Sequence, residues 1–371
     1  MARFRVFLVL GMILQCCGPS AQADTPPLNL NPTALRATLQ QSYRDQGVKA
    51  MLATVRSGGQ DIISLAQGES MTGVEASLDQ CVRIGGVSQT YMGTLLMLLV
   101  ERGDLKLDDK ISKWLPELLR SQDITVEMLM QSTSGYKDYI KNEVFLKALL
   151  REPFARFTRD ELISFAVQAG ELDFEPGTQS HYAHTNLVVL GKLLEKATGK
   201  SMAQLYRELL LDPLRLERTG YSSTAALPEP VLHAFGDDRE IYEEVTYWDP
   251  SWAADSGPLY APIGEVARWA RVHGRGELLT AESQARLIAR PAVAPTHGAY
   301  YACGFVVSNG WYFFNPNFNG YLGTCAYHPG LDVTIVVYAT NNPTTTSATN
   351  PAFQTAKELS AQIAPQQPLA P

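Results

Sequence analysis

The sequence predicts an α+β fold: an antiparallel sheet built from both chain ends and flanked by helices, with a mostly helical lobe inserted between them. Three observations predict it. Strand-like runs gather near residues 49–70 and 300–340, while residues 89–290 are dominated by amphipathic patterns of helical period. The C-terminal runs "YACGFVV", "GWYFF", "YLGTCAYH" and "DVTIVVYATN" follow one another through short connections containing Gly, Asn or Pro. Connections that short suit antiparallel pairing, because parallel neighbours need a long crossover.

Taken in order, residues 1–23 carry Arg3 and Arg5, an apolar run from Val6 to Leu14, and the ending Ala21-Gln22-Ala23. That is the layout of a cleaved secretory signal peptide, which predicts a secreted or periplasmic protein cut near Ala23. Cys16 and Cys17 raise a lipoprotein alternative, against which Gln15 and Cys16 are poorly suited to precede a lipidated cysteine. Pro32–Tyr43 reads as a helix, and "KAMLATVRSGGQDIISLAQGES" as two strands joined through Gly58-Gly59. Helical patterns follow at Thr90–Arg102, Asp160–Ala169, Asn186–Thr198, Met202–Leu211 and Ile263–His273, and "PAFQTAKELSAQIA" closes the chain as a helix. The α/β lobe is thus expected from about residues 24–85 and 295–362, and the helical lobe from about 86–294. The Thr/Asn/Pro stretch near 341–351 reads as loop, and residues 363–371 as a disordered tail.

Removing the signal takes two basic residues and no acidic ones, which shifts the formal charge from −7 to −9. An acidic chain of this kind is not expected to bind nucleic acid. No run after the signal is long and apolar enough for a membrane span. Of the mature cysteines, Cys81, Cys303 and Cys325, the last two fall in strand-like runs of one segment and are the expected pair if a disulfide forms; the alternative is three buried thiols. The histidines 181, 233, 273, 297 and 328 are dispersed without metal-ligand spacing, and neither metal nor cofactor is implied.

Three further stretches carry a resemblance: "VRIGGVSQTYMGTLLMLLVERGDLKLDDKISKWLPE", "ITVEMLMQSTSGYKDY" and "FEPGTQSHYAHTNLVVLGKLLEKATGKSMAQLYRELLLDPLRLERTGY". Together with "DVTIVVYATNN" they look like the serine beta-lactamase and DD-peptidase superfamily, in its class C and carboxypeptidase-like branch, over about residues 30–362. The resemblance implies a fold of the kind described and a serine that is acylated by a penicillin, a D-Ala-D-Ala peptide or an ester. It also implies three motifs. S-x-x-K opens a buried helix and sets nucleophile and lysine one turn apart. Tyr-x-Asn adds a proton-transfer and hydrogen-bonding group, and Lys-Thr-Gly or His-x-Gly on a strand completes the cleft.

In this register Gly86 stands at the serine position and Gln89 at the lysine position. Glycine carries no nucleophile and glutamine is no base. Tyr182-Ala183-His184 keeps the tyrosine of the second motif and offers His184 for the asparagine. Phe314-Asn315-Pro316 replaces the third motif, exchanging a charge for a ring and removing one backbone donor. The resemblance also implies an oxyanion hole made by the backbone N–H groups of Gly86 and Asn317. Two other serines are candidates for rescue: Ser134, in Ser134-Gly135-Tyr136-Lys137, and Ser88, two positions round the helix from Gly86.

Two function classes follow. One is a catalytically silent member that uses the cleft, with Gly86, Asn317 and Tyr182 as binding groups, to recognise a peptide or small amphiphile as a binding or regulatory module. The other is a hydrolase with weak or altered activity toward beta-lactams, peptides or esters, working through Tyr182, Ser88 or a bound water.

Overall fold

The computed structural model describes residues 28–343, 345 and 350–370. The expected signal peptide and part of the Thr/Asn/Pro stretch lie outside them. The main sheet runs, from one edge, through Val74–Glu75, Gln60–Met71, Ala50–Ser57, Val333–Thr340, Tyr321–His328, Trp311–Phe314, Val306–Ser308 and Tyr300–Tyr301. All its pairings are antiparallel. The hairpin at Gly58-Gly59 forms as the sequence predicts, both glycines having positive φ.

Both faces of the sheet are covered, and strand alternation sorts the side chains between them. Met51, Ala53, Val55, Ile335 and Val337 face a layer made by the helices Pro32–Gln46 and Pro351–Ile363. Leu52, Val336 and Tyr338 face the larger core, which is continuous with the helical lobe. Asn31 caps the first helix, its side chain accepting from the N–H groups of Thr33 and Ala34, and Pro32 occupies the first turn, where no donor is needed.

The helix Ile263–Arg275, expected within the inserted lobe, instead packs on the sheet strands Tyr321–His328 and Val333–Thr340. Its apolar face, with Val266, Trp269 and Ala270, fits the side of the sheet opposite the terminal helices. The helix Ser88–Glu101 is buried on nearly every side, which its even hydrophobicity foretells. Its Tyr91 ring stacks on Trp269 at 3.8 Å, and the Trp269 indole donates to Thr90 Oγ1 at 2.7 Å.

Of the two readings of the cysteines, the three buried thiols hold, and the expected disordered tail is corrected. Cys303 and Cys325 are free, buried thiols, as is Cys81. Two strand steps, Tyr321–His328 to Trp311–Phe314 to Val306–Ser308, separate Cys325 from the segment of Cys303. At roughly 4.8 Å per step that exceeds the ~7 Å Cα separation a disulfide tolerates. Burial raises both thiols to about 12, so they remain protonated and serve as small apolar side chains. The C-terminal tail is not frayed: Leu369 is buried, its N–H donates to Ser360 Oγ at 2.9 Å, and the Trp311 indole donates to the Gln367 carbonyl at 2.8 Å.

His273 gives a first prediction. Its Nδ1 lies 2.9 Å from Thr94 Oγ1, its Nε2 is buried without a partner, and burial lowers its pKa from 6.5 to about 3. The unfolded chain therefore binds the proton more readily, so this contribution to stability is complete above pH 6.5 and declines as pH falls toward 3. Denaturant titrations at pH 7 and pH 4 are expected to show His273→Gln losing about 3 kcal/mol less stability over that interval than the parent chain. Equal losses would contradict the assignment.

Candidate active-site cleft

Gly86, Gln89, Tyr182, His184, Phe314 and Asn317 all line one cavity of about 250 Å³ between the sheet and the helical lobe. The structure therefore brings together every residue assigned to the site from sequence. Ser88 and Ser134 are not among them. The buried Ser88 hydroxyl accepts from the Leu259 N–H at 3.1 Å. Ser134 donates to Asn186 Oδ1 at 2.5 Å, and Lys137 pairs on the surface with Glu171 at 2.8 Å. No Ser134–Lys137 dyad exists.

The site is assembled by a tight entry into the buried helix. Gly85 has φ +52°, and a side chain there would press on Pro316 and Phe318. Gly86 opens the first turn, where helix geometry leaves N–H groups without intrahelical partners. A Cβ at Gly86 would lie 2.1 Å from Phe314 Cε1, 2.7 Å from Cζ and 2.8 Å from Cδ1. The Phe314 ring thus occupies the volume in which a serine side chain would stand. Positions 86 and 314 therefore form one contact.

Gln89 is held by three hydrogen bonds. Its Nε2 donates to Tyr182 Oη at 2.6 Å and to the Ser256 carbonyl at 3.1 Å, and its Oε1 accepts from Tyr301 Oη at 2.8 Å. The amide supplies donors and an acceptor that an ammonium group cannot match in full. Burial raises the pKa of both Tyr182 and Tyr301, so both remain neutral. With its lone pair engaged by Gln89, Tyr182 keeps its O–H proton for the cleft.

His184 begins the helix His184–Thr198. Asp138 accepts from its backbone N–H at 3.1 Å and lies 3.1 Å from its Nδ1, placing a carboxylate at a helix N-terminus, where the dipole favours it. Ser256, the one serine lining the cavity among the described residues, donates its hydroxyl to the Ala253 carbonyl.

On the strand side, Trp311–Phe314 and Asn317–Phe318 both pair with Tyr321–His328, interrupted at Pro316. Gly323 donates to the Pro316 carbonyl at 2.9 Å. Backbone groups alternate sides along a strand, so the next N–H, that of Asn317, points away from this neighbour and toward the cleft. Proline leaves the Gly323 carbonyl without its ladder donor. Asn350 Nδ2 takes that place at 3.1 Å and also reaches the Asn315 and Pro316 carbonyls at 3.3 and 3.1 Å.

Sequence reasoning missed Asp138, Tyr301 and Ser256. Asp138 lies within the quoted "STSGYKDY" stretch, but the other two come from segments that carry no motif. Only the fold brings them to the cleft.

These features match known proteins. The Beta-lactamase family model covers residues 35–359, and the chain belongs to that family. Penicillin-binding protein 4 of Amycolatopsis lactamdurans is 29% identical over 231 residues, 57% of this chain and 56% of that protein. The D-alanyl-D-alanine-carboxypeptidase/endopeptidase AmpH of Escherichia coli (strain K12) is 25% identical over 250 residues, 66% of this chain and 62% of its own length. The chain thus matches less than two thirds of the length of these relatives. The D-stereospecific amidohydrolase from Streptomyces sp. shares the fold with a TM-score of 0.75 at 23% identity, covering 87% of this chain and 96% of that one.

Proposed function

We propose that this chain is a catalytically silent member of the family, exported by residues 1–23 to the periplasm or the exterior, and that it binds a neutral, carbonyl-bearing peptide or small amphiphile in the cleft. One observation carries the reading: the Phe314 ring fills the place of the missing nucleophile at Gly86. The lesion is shared between helix and strand. Among the described residues neither Lys nor Arg lines the cavity, and the donors we assign to it are the Gly86 and Asn317 N–H groups and the Tyr182 hydroxyl. Such donors suit a carbonyl oxygen, and without a cation nothing repays the desolvation of a carboxylate.

The alternative, residual hydrolysis, draws support from His184, which Asp138 orients beside the Tyr182 ring at 4.9 Å between centroids. A histidine so placed can deprotonate a water. Intact-protein mass after exposure to a reporter penicillin and to an activated ester tests the proposal. No added mass is expected; a stable adduct on any cleft residue would sink it.

A further inference from the structure

Behind one wall of the cleft lies a larger, polar cavity of about 430 Å³. The segment 250–257 is the partition: Pro250, Ser251 and Ala254 line this cavity, while Trp252, Ala253 and Ser256 line the cleft. One half of the polar cavity is closed on itself. Arg159 donates to Asp255 at 2.6 and 2.9 Å and to Glu195 at 2.8 Å, and Tyr221 donates its hydroxyl to Asp255 at 3.3 Å. Two carboxylates answer one guanidinium there, and Glu195, which lines the cavity, keeps acceptor capacity to spare.

The other half holds cations and donors without an anion. Arg83, on the strand Cys81–Arg83, is 1% exposed; its guanidinium donates to Ser222 Oγ at 3.0 Å and to the carbonyls of Thr246 and Ala225 at 3.3 and 2.6 Å. Among the described residues no carboxylate stands within ion-pair distance of it, and withdrawal from water lowers its pKa although Asp249 acts on it from further off. Ser222, which follows the strand Gly220–Tyr221, lines the cavity and so stands between this buried cation and the open space.

Arg156, at the surface, has no carboxylate partner among the described residues either, and donates to the Ser223 carbonyl at 2.6 Å. Ser251, in the short turn Pro250–Trp252, accepts from the Phe157 N–H at 2.8 Å, which ties it to the same corner. Ser222, Ser223, Ser251 and Arg156 all line the cavity, and among the described residues none of the three hydroxyls donates to a protein acceptor. Three hydroxyl protons and a guanidinium fork suit a phosphate, whose oxygens each accept more than one hydrogen bond. A buried cation without a counter-charge also gains from an anion placed one hydrogen bond away.

We propose that this cavity is a binding site for a small sugar phosphate, its phosphate held by Arg156, Ser222, Ser223 and Ser251 and its hydroxyls donating to Glu195. The site goes beyond the cleft and does not depend on what the cleft binds.

Calorimetry of the purified chain at fixed ionic strength tests it with glucose 1-phosphate, inorganic phosphate and glucose. Glucose 1-phosphate is expected to bind about tenfold more tightly than inorganic phosphate, and glucose to show no measurable binding. Arg156→Gln, a surface change that spares the fold, and Ser222→Ala, compared only if its circular dichroism is native-like, are each expected to weaken glucose 1-phosphate about tenfold. Tyr182→Phe, on the cleft side of the partition, is expected to leave that affinity as it is. Absence of binding by both phosphates, or an affinity unchanged in Arg156→Gln, overturns the inference. Inorganic phosphate binding as tightly as the sugar phosphate would overturn the sugar assignment and leave a site for the free anion. Binding lost in Tyr182→Phe but kept in Arg156→Gln would put the probe in the cleft and sink the proposal.

Discussion

Nitrocefin incubated with the purified chain lacking residues 1–23 is expected to hydrolyse at the rate seen in buffer. Removing a nucleophile and its base from a site whose members act together costs on the order of a millionfold in turnover, and the loss is far from additive. On the proposed reading the deficit extends beyond Gly86 and Gln89. Tyr182 is kept neutral by burial, and the cleft's serine and both alternative serines are committed to other partners. On the proposed reading, the backbone donors at Gly86 and Asn317 alone supply only weak catalysis, because no group of the cleft generates the oxyanion they would stabilise. Turnover above buffer that disappears in Tyr182→Phe or in His184→Gln would identify a substitute base and move the protein to the hydrolase class. Turnover that survives both would mean that the chemistry lies outside this cleft.

The second large effect is expected on reversion, and its order is set by the Phe314 ring. Gly86→Ser alone is expected to lower stability by about 1–3 kcal/mol, since the new side chain overlaps the ring and forces a buried rearrangement. With Phe314→His, which is smaller and polar, much of that loss is expected to return. The two sites therefore show a coupling of about 1 kcal/mol or more in a double-mutant cycle read by denaturant titration. From sequence alone, Gly86→Ser with Gln89→Lys is the expected minimum for slow acylation by a beta-lactam. The structure corrects this: while Phe314 remains, the added hydroxyl has no room to face a substrate.

Acylation is instead expected to begin only when Gly86→Ser, Gln89→Lys and Phe314→His are combined, and to rise further with Pro316→Gly. The lysine would find Tyr182 Oη, Tyr301 Oη and the Ser256 carbonyl, the three oxygens or hydroxyls that now hold the Gln89 amide. Those partners offset part of the desolvation of a buried amine, which is otherwise on the order of several kcal/mol. Mass spectrometry after penicillin exposure reads the outcome, among variants with native-like circular dichroism. An adduct in the Gly86→Ser/Gln89→Lys pair with Phe314 intact would show that the ring is no barrier. No adduct in the folded quadruple variant would show that the cleft no longer presents a carbonyl to position 86.

The sequence by itself determined the antiparallel sheet, the order of the helices and six of the residues that line the cleft. Period-two strands, helical periods and the Gly58-Gly59 turn are local signals, each set by neighbours within a few positions. The positions of Gly86, Gln89, Tyr182 and His184 were legible because they stand in fixed register to recognisable stretches of chain.

Only the tertiary structure decided what those residues touch. That the ring of Phe314 occupies the space beside Gly86, that Tyr301 and the Ser256 carbonyl complete the bonds of Gln89, and that Asn350 replaces the donor lost at Pro316 all depend on contacts between distant segments. The free thiols of Cys303 and Cys325 follow the same logic, since sequence proximity gave no measure of the strands lying between them. The docked tail around Leu369 does too, its composition resembling a loose end while its partners are Ser360 and Trp311. Packing and hydrogen bonding across the chain are set by distance in space, which local pattern does not encode.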